Sequence, residues 1–370
     1  MSNSRIVPIV MPKWGLSMKE GKVTGWLAED GTPINVGDAI LEVETDKIAG
    51  SVEASEAGVL RRRVGAPDTI YPVKALLGVI ADPSVPDAEI DSYVASYVTP
   101  PPEEGEEDEG AKYEFVETAG GQLRYARRGS GAAAVIFIHG FGGDLDNWLF
   151  NIDGLGENAT VYALDLPGHG QSTKKLDNPG LAALAASLAA FMDKLGLAGA
   201  HLVGHSMGGA VAMQLAADSP EKVKSLTLIC SAGLGPEIGS YVENFVAAKS
   251  RKELKPVLET LFADTSLVSR QLVDDVLKYK RLDGVENLLA DLLQSLFGGG
   301  RQLDDMAERL AGKSPPSLVI WGKDDRVIPF AHAANLPGAR VHIIDNAGHM
   351  VFMEKASDVN ALIRQHIAGE

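Results

Sequence analysis

The pentapeptide Gly204-His205-Ser206-Met207-Gly208 has the pattern G-x-S-x-G. It follows the short apolar run His201–His205 and precedes a helix-compatible stretch that reaches Ala217. In a strand–turn–helix setting this pattern presents the serine on a strained turn as a nucleophile. Side chains at 204 and 208 would collide with the turn's neighbours, which accounts for the two glycines. The helix behind Ser206 offers its positive end to developing negative charge. A serine hydroxyl needs a base, and the base needs an orienting carboxylate. With the chain order serine, acid, histidine, the candidates are Asp324 or Asp325 within Gly322–Pro329 and His349 within Asn346–His349. Taken alone, this constellation would serve an esterase-like or C–C hydrolase. His169, His201, His205, His332, His342 and His366 read as packed or exposed side chains. The single cysteine, Cys230, ends an apolar run and reads as buried and inert. It excludes an internal disulfide framework and a Cys-based zinc site, so no metal is expected, and it fits a reducing cytosol.

The elements that must position these residues alternate between strand and helix. Ala134–His139, Val161–Asp165, His201–His205, Leu226–Cys230, Ser317–Trp321 and Val341–Asp345 are short apolar runs, most of them followed by helical patterns or loops. This alternation predicts a doubly wound α/β sheet over residues 113–370. Residues 236–300 break it with helical spacing, as in Leu254, Val257, Leu258, Leu261 and Phe262, and predict a helical cap. The whole of 113–370 resembles the α/β-hydrolase family. The resemblance selects Asp325, four residues before Pro329, as the acid, and His349 as the base. It also implies an oxyanion hole made by the backbone N–H groups of Met207 and of Phe141 in the loop His139–Gly143. The turn Asp165–Gly170 matches a recurrent family turn and reads as structural. Lys249, Arg251 and Lys252 of the cap read as a solvated helix face.

Residues 1–80 read as all-β, with short runs between Gly, Pro and Asp turn signals. An internal repeat is offset by 37 residues. Gly21, Val23, Ile34, Val36 and Ile40 map onto Gly58, Leu60, Tyr71, Val73 and Leu77. Two similar halves around a pseudo-twofold axis are expected, with Lys47 on the turn between them. A lone lysine on a turn is usually only a solvated charge. Here the quasi-repeats, the Asp46-Lys47 turn, Gly31 and Gly58 together resemble a lipoyl domain of barrel-sandwich fold. The resemblance implies covalent lipoate on Lys47. The related biotinyl modules usually flank their lysine with methionines, whereas the flanks here are Asp46 and Ile48. Arg61-Arg62-Arg63 reads as a solvated strand face.

Charge is concentrated between these modules. The whole chain carries a net −16, and residues 81–112 hold one Lys and ten Asp/Glu, a net of −9. With Pro83, Pro86 and Pro100 to Pro102, the stretch reads as an extended spacer in which only Ile90–Val98 could form a short helix. Acidic composition argues against nucleic acid and anionic membranes as partners. Met1–Val10 lacks an apolar signal core, and the longest apolar run, Leu181–Met192, is too short to span a bilayer. A cytoplasmic protein is expected.

The full arrangement resembles the dihydrolipoyllysine-residue acetyltransferase components of acetoin dehydrogenase complexes. The resemblance implies coenzyme A as co-substrate. It also implies three protein partners: a thiamine diphosphate-dependent acetoin dehydrogenase component, dihydrolipoamide dehydrogenase and a lipoate-attaching enzyme. Ordinary acyltransferase components end in a domain with H-x-x-x-D-G, a pattern in which none of the eight histidines sits. Transfer must therefore use Ser206. The alternative is a serine hydrolase that carries a lipoyl domain.

Overall fold

The computed structural model describes residues 6–12, 18–45, 49–100, 113–155, 159–302 and 305–369. Its contacts divide the chain into two units, Met1–Ala111 and Lys112–Glu370.

The described residues of the first unit form eight strands: β1 (Ile6–Val10), β2 (Glu20–Trp26), β3 (Pro33–Ile34), β4 (Ala39–Glu44), β5 (Ala49–Glu53), β6 (Gly58–Arg63), β7 (Thr69–Pro72) and β8 (Leu76–Ala81). They form two four-stranded sheets, ordered β1-β8-β6-β3 and β5-β4-β2-β7. Exchanging β1 with β5, β2 with β6, β3 with β7 and β4 with β8 turns one order into the other. The 37-residue repeat is therefore a pseudo-twofold relation between sheets. Its apolar members Val23, Ile34, Ile40, Leu60 and Leu77 are buried in one core, joined by Met11, Leu41 and Val43, while Val36 is exposed.

The spacer expected at 81–112 is folded over its first part. Helix α1 (Asp87–Ser96) lays Ile90 on a second cluster with Ile6, Leu76, Val79, Ala81 and Val85, and Tyr93, Val94 and Tyr97 pack beside it. Apolar residues at helical spacing can cover a sheet face even inside an acidic, proline-marked stretch. Burying Ile90 contributes roughly 2 kcal/mol. The arginine run is not simply solvated. Arg61 pairs with Asp87 at 2.8 Å, Arg62 with Asp91 at 2.8 Å, and Arg63 with Asp30 at 3.3 Å. Two of the carboxylates thus hold α1 to β6. The remaining acidic run, Glu103–Glu109, lies outside the described residues.

The second unit is built on one eight-stranded sheet. Its strands are β9 (Tyr113–Thr118), β10 (Gly121–Arg128), β11 (Ala133–Ile138), β12 (Ala159–Leu164), β13 (Ala200–His205), β14 (Val223–Ile229), β17 (Ser317–Gly322) and β18 (Arg340–Ile344). A two-residue hairpin, β15 (Phe297–Gly298) with β16 (Arg301–Gln302), belongs to the cap. The order β9-β10-β12-β11-β13-β14-β17-β18 has six parallel strands and an antiparallel pair, β9 and β10, at one edge. β12 and β17 are buried along their whole length and β14 everywhere but Lys224, as expected for strands covered on both faces. Following β11, α2 (Leu149–Ile152) precedes β12, and α3 (Leu181–Lys194) precedes β13. Leu181, Leu184, Ala185, Leu188 and Met192 recur at helical spacing and form the buried stripe of α3. Helix α4 (Met207–Asp218) follows β13, and Met207–Ala216 of it is buried.

Four helices form the cap: α5 (Tyr241–Ala247), α6 (Arg251–Glu259), α7 (Arg270–Lys280) and α8 (Val285–Leu296). Its two ends are joined. Gln302 N–H donates to Pro236 O at 2.8 Å, and Ile238 N–H to Gly300 O at 3.4 Å. A short α9 (Met306–Arg309) leads to β17, and α10 (Val351–Glu354) and α11 (Ala356–Ala368) close the unit. Among the described residues no helix is long and apolar enough to cross a membrane.

Candidate active site

Strand order changes direction at β11, which has β12 on one side and β13 on the other. The ends of parallel strands at such a switch leave a crevice where ligands bind. Here the loop after β11 and the turn after β13 are neighbours, and Ile138 pairs with Gly204. Ser206 occupies the turn with φ 51° and ψ −119°. A non-glycine residue at positive φ is strained. The surrounding bonds enforce it: Ser206 N–H donates to Ile229 O at 3.0 Å, and Ser206 O accepts from Gly209 N and Ala232 N, each at 3.0 Å. A Cβ at position 204 would lie 2.5 Å from Gly208 O, and one at position 208 would strike Ile138 O. Both flanking positions therefore require glycine. α4 starts at Met207, so its first amide, that of Met207, has no helical residue before it to accept its proton.

The other two candidates follow β17 and β18, which are adjacent. Asp325 Oδ2 accepts from His349 Nδ1 at 2.8 Å and from Trp321 Nε1 at 3.0 Å. Its Oδ1 accepts from the N–H groups of Val327 at 2.7 Å and Ile328 at 3.0 Å. Four donors thus fix the carboxylate, and its side chain is 0% exposed. Asp324 is exposed, so geometry favours Asp325 as the acid. With Nδ1 donating to Asp325, the Nε2 of His349 is left to accept a proton.

His205, read from sequence as packed or exposed, links the two halves of the site. Its Nε2 donates to His349 O at 3.0 Å, and the two rings lie 4.6 Å apart. This sets His349 beside the residue that precedes Ser206. Full burial pushes the His205 imidazole well below its usual range, so it stays neutral. Glu354, which the sequence did not single out, braces the base from behind. Its Oε2 accepts Gly348 N–H at 2.6 Å, and its Oε1 accepts Ala263 N–H at 2.8 Å and Asp264 N–H at 3.1 Å. Burial raises the Glu354 carboxyl. The acid loop is tied to the same cap turn, since Arg326 Nη2 donates to Phe262 O at 2.6 Å. These partners are backbone groups from distant segments, so no local sequence signal marks them.

Phe141 lies in the loop after β11, and its buried ring meets His169, Phe245 and Phe297 edge-on at 6.1–6.2 Å. His139 ties this loop to the Asp165–Gly170 turn. Its Nδ1 donates to Gly140 O at 2.8 Å, and its Nε2 accepts Leu166 N–H at 3.0 Å. Asp165 pairs with Arg124 at 2.6 Å, both buried, and accepts Leu145 N–H at 2.8 Å. That turn is structural. Beside it, Asp144 caps the turn Leu145–Trp148, and burial together with Asp146 and Asp165 raises its carboxyl to about 7.

Cys230 is buried at φ 44°, and burial followed by the charge of Asp325 pushes its thiol well above its usual range. It is unreactive as a nucleophile. The Cys230, Asp325 and His349 ligand atoms cluster within 4.8 Å. Asp325 and His349 already bond each other, so the group reads as the candidate acid and base beside a buried thiol, not a metal site. In the cap, Lys249 pairs with Glu286 and Arg251 with Asp274. Lys280, lowered to about 8 by burial, donates to Phe245 O and to Ala248 O at the end of α5. His201, His332 and His366 bond Ser225, Glu237 and Leu226 O and stand apart from the triad.

Lys47 lies outside the described residues. Its segment joins β4 to β5, whose antiparallel register closes on the pair Glu44↔Ala49. A lysine on that short connection is compatible with a group that must project into solvent.

The family model described as alpha/beta hydrolase fold matches residues 133–356, and the one described as biotin-requiring enzyme matches residues 7–67. The chain is 58% identical over 366 residues to the dihydrolipoyllysine-residue acetyltransferase component of the acetoin cleaving system of Cupriavidus necator, covering 98% of both chains. It is 47% identical to the protein of that description from Pseudomonas putida, covering 98% of this chain and 100% of the relative. Among solved structures, a meta-cleavage product hydrolase variant aligns with TM-score 0.64 at 23% identity, over 70% of this chain and 98% of the other. That likeness concerns the fold of the second unit.

Proposed function

Because this chain belongs to the family of dihydrolipoyllysine-residue acetyltransferase components of acetoin cleaving systems, we propose that its second unit moves an acetyl group from a dihydrolipoyl thioester to coenzyme A through an ester on Ser206. The observation that carries this reading is the Asp325–His349 bond at 2.8 Å, set at the ends of adjacent strands beside a positive-φ serine. Lys47 is the residue proposed to hold lipoate, which when bound supplies the thiol that carries the acetyl group.

The residues act in two half-reactions. Ser206 Oγ attacks the thioester carbonyl as its proton passes to His349 Nε2. The amides of Met207 and Phe141 hold the oxyanion, and losing one such donor typically costs about 10²–10³ in rate. The C–S bond breaks, and His349 returns the proton to the leaving sulfur. The coenzyme A thiol then gives its proton to His349 and attacks the acetyl carbonyl. The C–O bond to Ser206 breaks, and Oγ takes the proton back. Asp325 keeps His349 in the tautomer that each step needs. Water at the ester would divert the acetyl group to acetate, and the cap is the element proposed to exclude it. The proposed partners are a thiamine diphosphate-dependent acetoin dehydrogenase component, dihydrolipoamide dehydrogenase and the enzyme that attaches lipoate.

Product analysis tests this. The full chain is supplied with acetyl-dihydrolipoamide with and without coenzyme A. Transfer predicts acetyl-CoA as the main product and little acetate. Equal acetate in both cases, with no acetyl-CoA, would establish the hydrolase reading instead.

A further inference from the structure

An acyl group on Ser206 must place its carbon chain somewhere. A cavity of about 20 Å³ lies among Met207 and Ala210 of α4, Ala232 after β14, and Leu296 and Phe297 at the end of the cap. It adjoins the nucleophile turn, because Ala232 N–H and Ala210 N–H both donate to Ser206 O, at 3.0 and 3.4 Å. All five of these residues are buried and apolar. The ring of Phe297 also packs edge-on against Phe141 at 6.1 Å. Met207, one proposed oxyanion donor, thus lines the cavity, and the ring of Phe141, the other, touches its Phe297 wall.

The cover of the cavity is fastened in place. Gln302, itself buried, accepts Gly233 N–H at 2.7 Å through its side-chain carbonyl and donates its amide to Glu237 O at 3.0 Å. These bonds tie the β15–β16 hairpin, which carries Phe297, to the loop that carries Ala232. A single water needs about 10–15 Å³ of such volume. The cavity therefore holds about one methyl-sized group.

We propose that this cavity is the acyl subsite of the second unit, that it receives the methyl of an acetyl group, and that it refuses acyl chains of four carbons. The proposal rests on Ser206 being the nucleophile. Phe297 and Leu296 set the chain-length limit.

Acylation by p-nitrophenyl acetate, propionate and butyrate tests it on the full chain, beside acetyl-CoA formation from acetyl-dihydrolipoamide. One methylene in an apolar pocket changes selectivity by about 10–200-fold. Wild type is expected to acylate at least about 100-fold more slowly from butyrate than from acetate. Phe297→Ala is expected to narrow that gap by about 10-fold or more, and Leu296→Ala by less. The wild-type series decides even if a variant fails to fold. Equal rates from acetate and butyrate would overturn the subsite, even if acetyl-CoA still forms. An intact acetate preference without acetyl-CoA would instead overturn the transferase reading and leave the subsite standing.

Discussion

The two units differ in how they use their sheets. In the first, strands close a small core, and the residue proposed to carry chemistry belongs to a short connection between β4 and β5. In the second, the residues proposed for the chemistry are distributed over four loops at the ends of β11, β13, β17 and β18, with His205, Asp325 and Gly348 held by bonds between side chains and backbone or ring donors. A carrier needs one reactive side chain in solvent. A catalyst needs several groups fixed to fractions of an ångström. The difference predicts that damage to one unit leaves the other's chemistry intact.

Ser206→Ala gives the largest expected effect, a fall on the order of 10⁶ in transfer, with no change in the lipoyl mass on Lys47; residual transfer near wild type would break the assignment. Lys47→Ala should do the reverse. It should remove the lipoyl adduct and leave transfer from free acetyl-dihydrolipoamide unchanged. Asp325→Asn should lower kcat by about 10⁴ through the wrong histidine tautomer, whereas Asp324→Asn should leave it within about twofold. Steady-state kinetics on both variants would expose a mistaken choice of acid.

Ile90→Ala should destabilise the first unit alone by about 2–5 kcal/mol. Hydrogen exchange should quicken in β1 and β8 and stay constant in β11 and β13; an unchanged β8 would show that α1 contributes nothing. A further expected effect concerns pH. The Asp144 carboxyl is raised in the folded state to about 7, from an ordinary value near 3.8. Its contribution to stability is full below the ordinary value and is lost as pH rises towards 7. Asp144→Asn should keep the cap on the Leu145–Trp148 turn and flatten that decline. Denaturant midpoints measured from pH 4 to 8 check this, and identical slopes would contradict it.

How much was legible follows from where each signal resides. The elbow, Asp325 and His349 sit just after short strand-like runs, so motif and chain order pointed to them, with the family resemblance choosing Asp325 over Asp324. The edge strands β9 and β10 went unseen because they mix Glu114, Glu117, Arg124, Arg127 and Arg128 with few apolar residues. The sequence allows a short helix over Ile90–Val98 within the spacer; that it packs as α1 from Asp87 depends on Val79 and Leu76 beneath it, which proline and acidic charge do not signal. His205 and Glu354 act on backbone atoms brought from far along the chain, which no local pattern encodes.

The central claim is that the acetyl group passes through Ser206. The full chain, incubated with acetyl-dihydrolipoamide without coenzyme A, quenched in acid and digested, gives the direct measurement by peptide mass. One acetyl group on the peptide that contains Ser206, lost on adding coenzyme A as acetyl-CoA appears, is the predicted result. Acetyl-CoA formed at full rate with Ser206 never acetylated would contradict it.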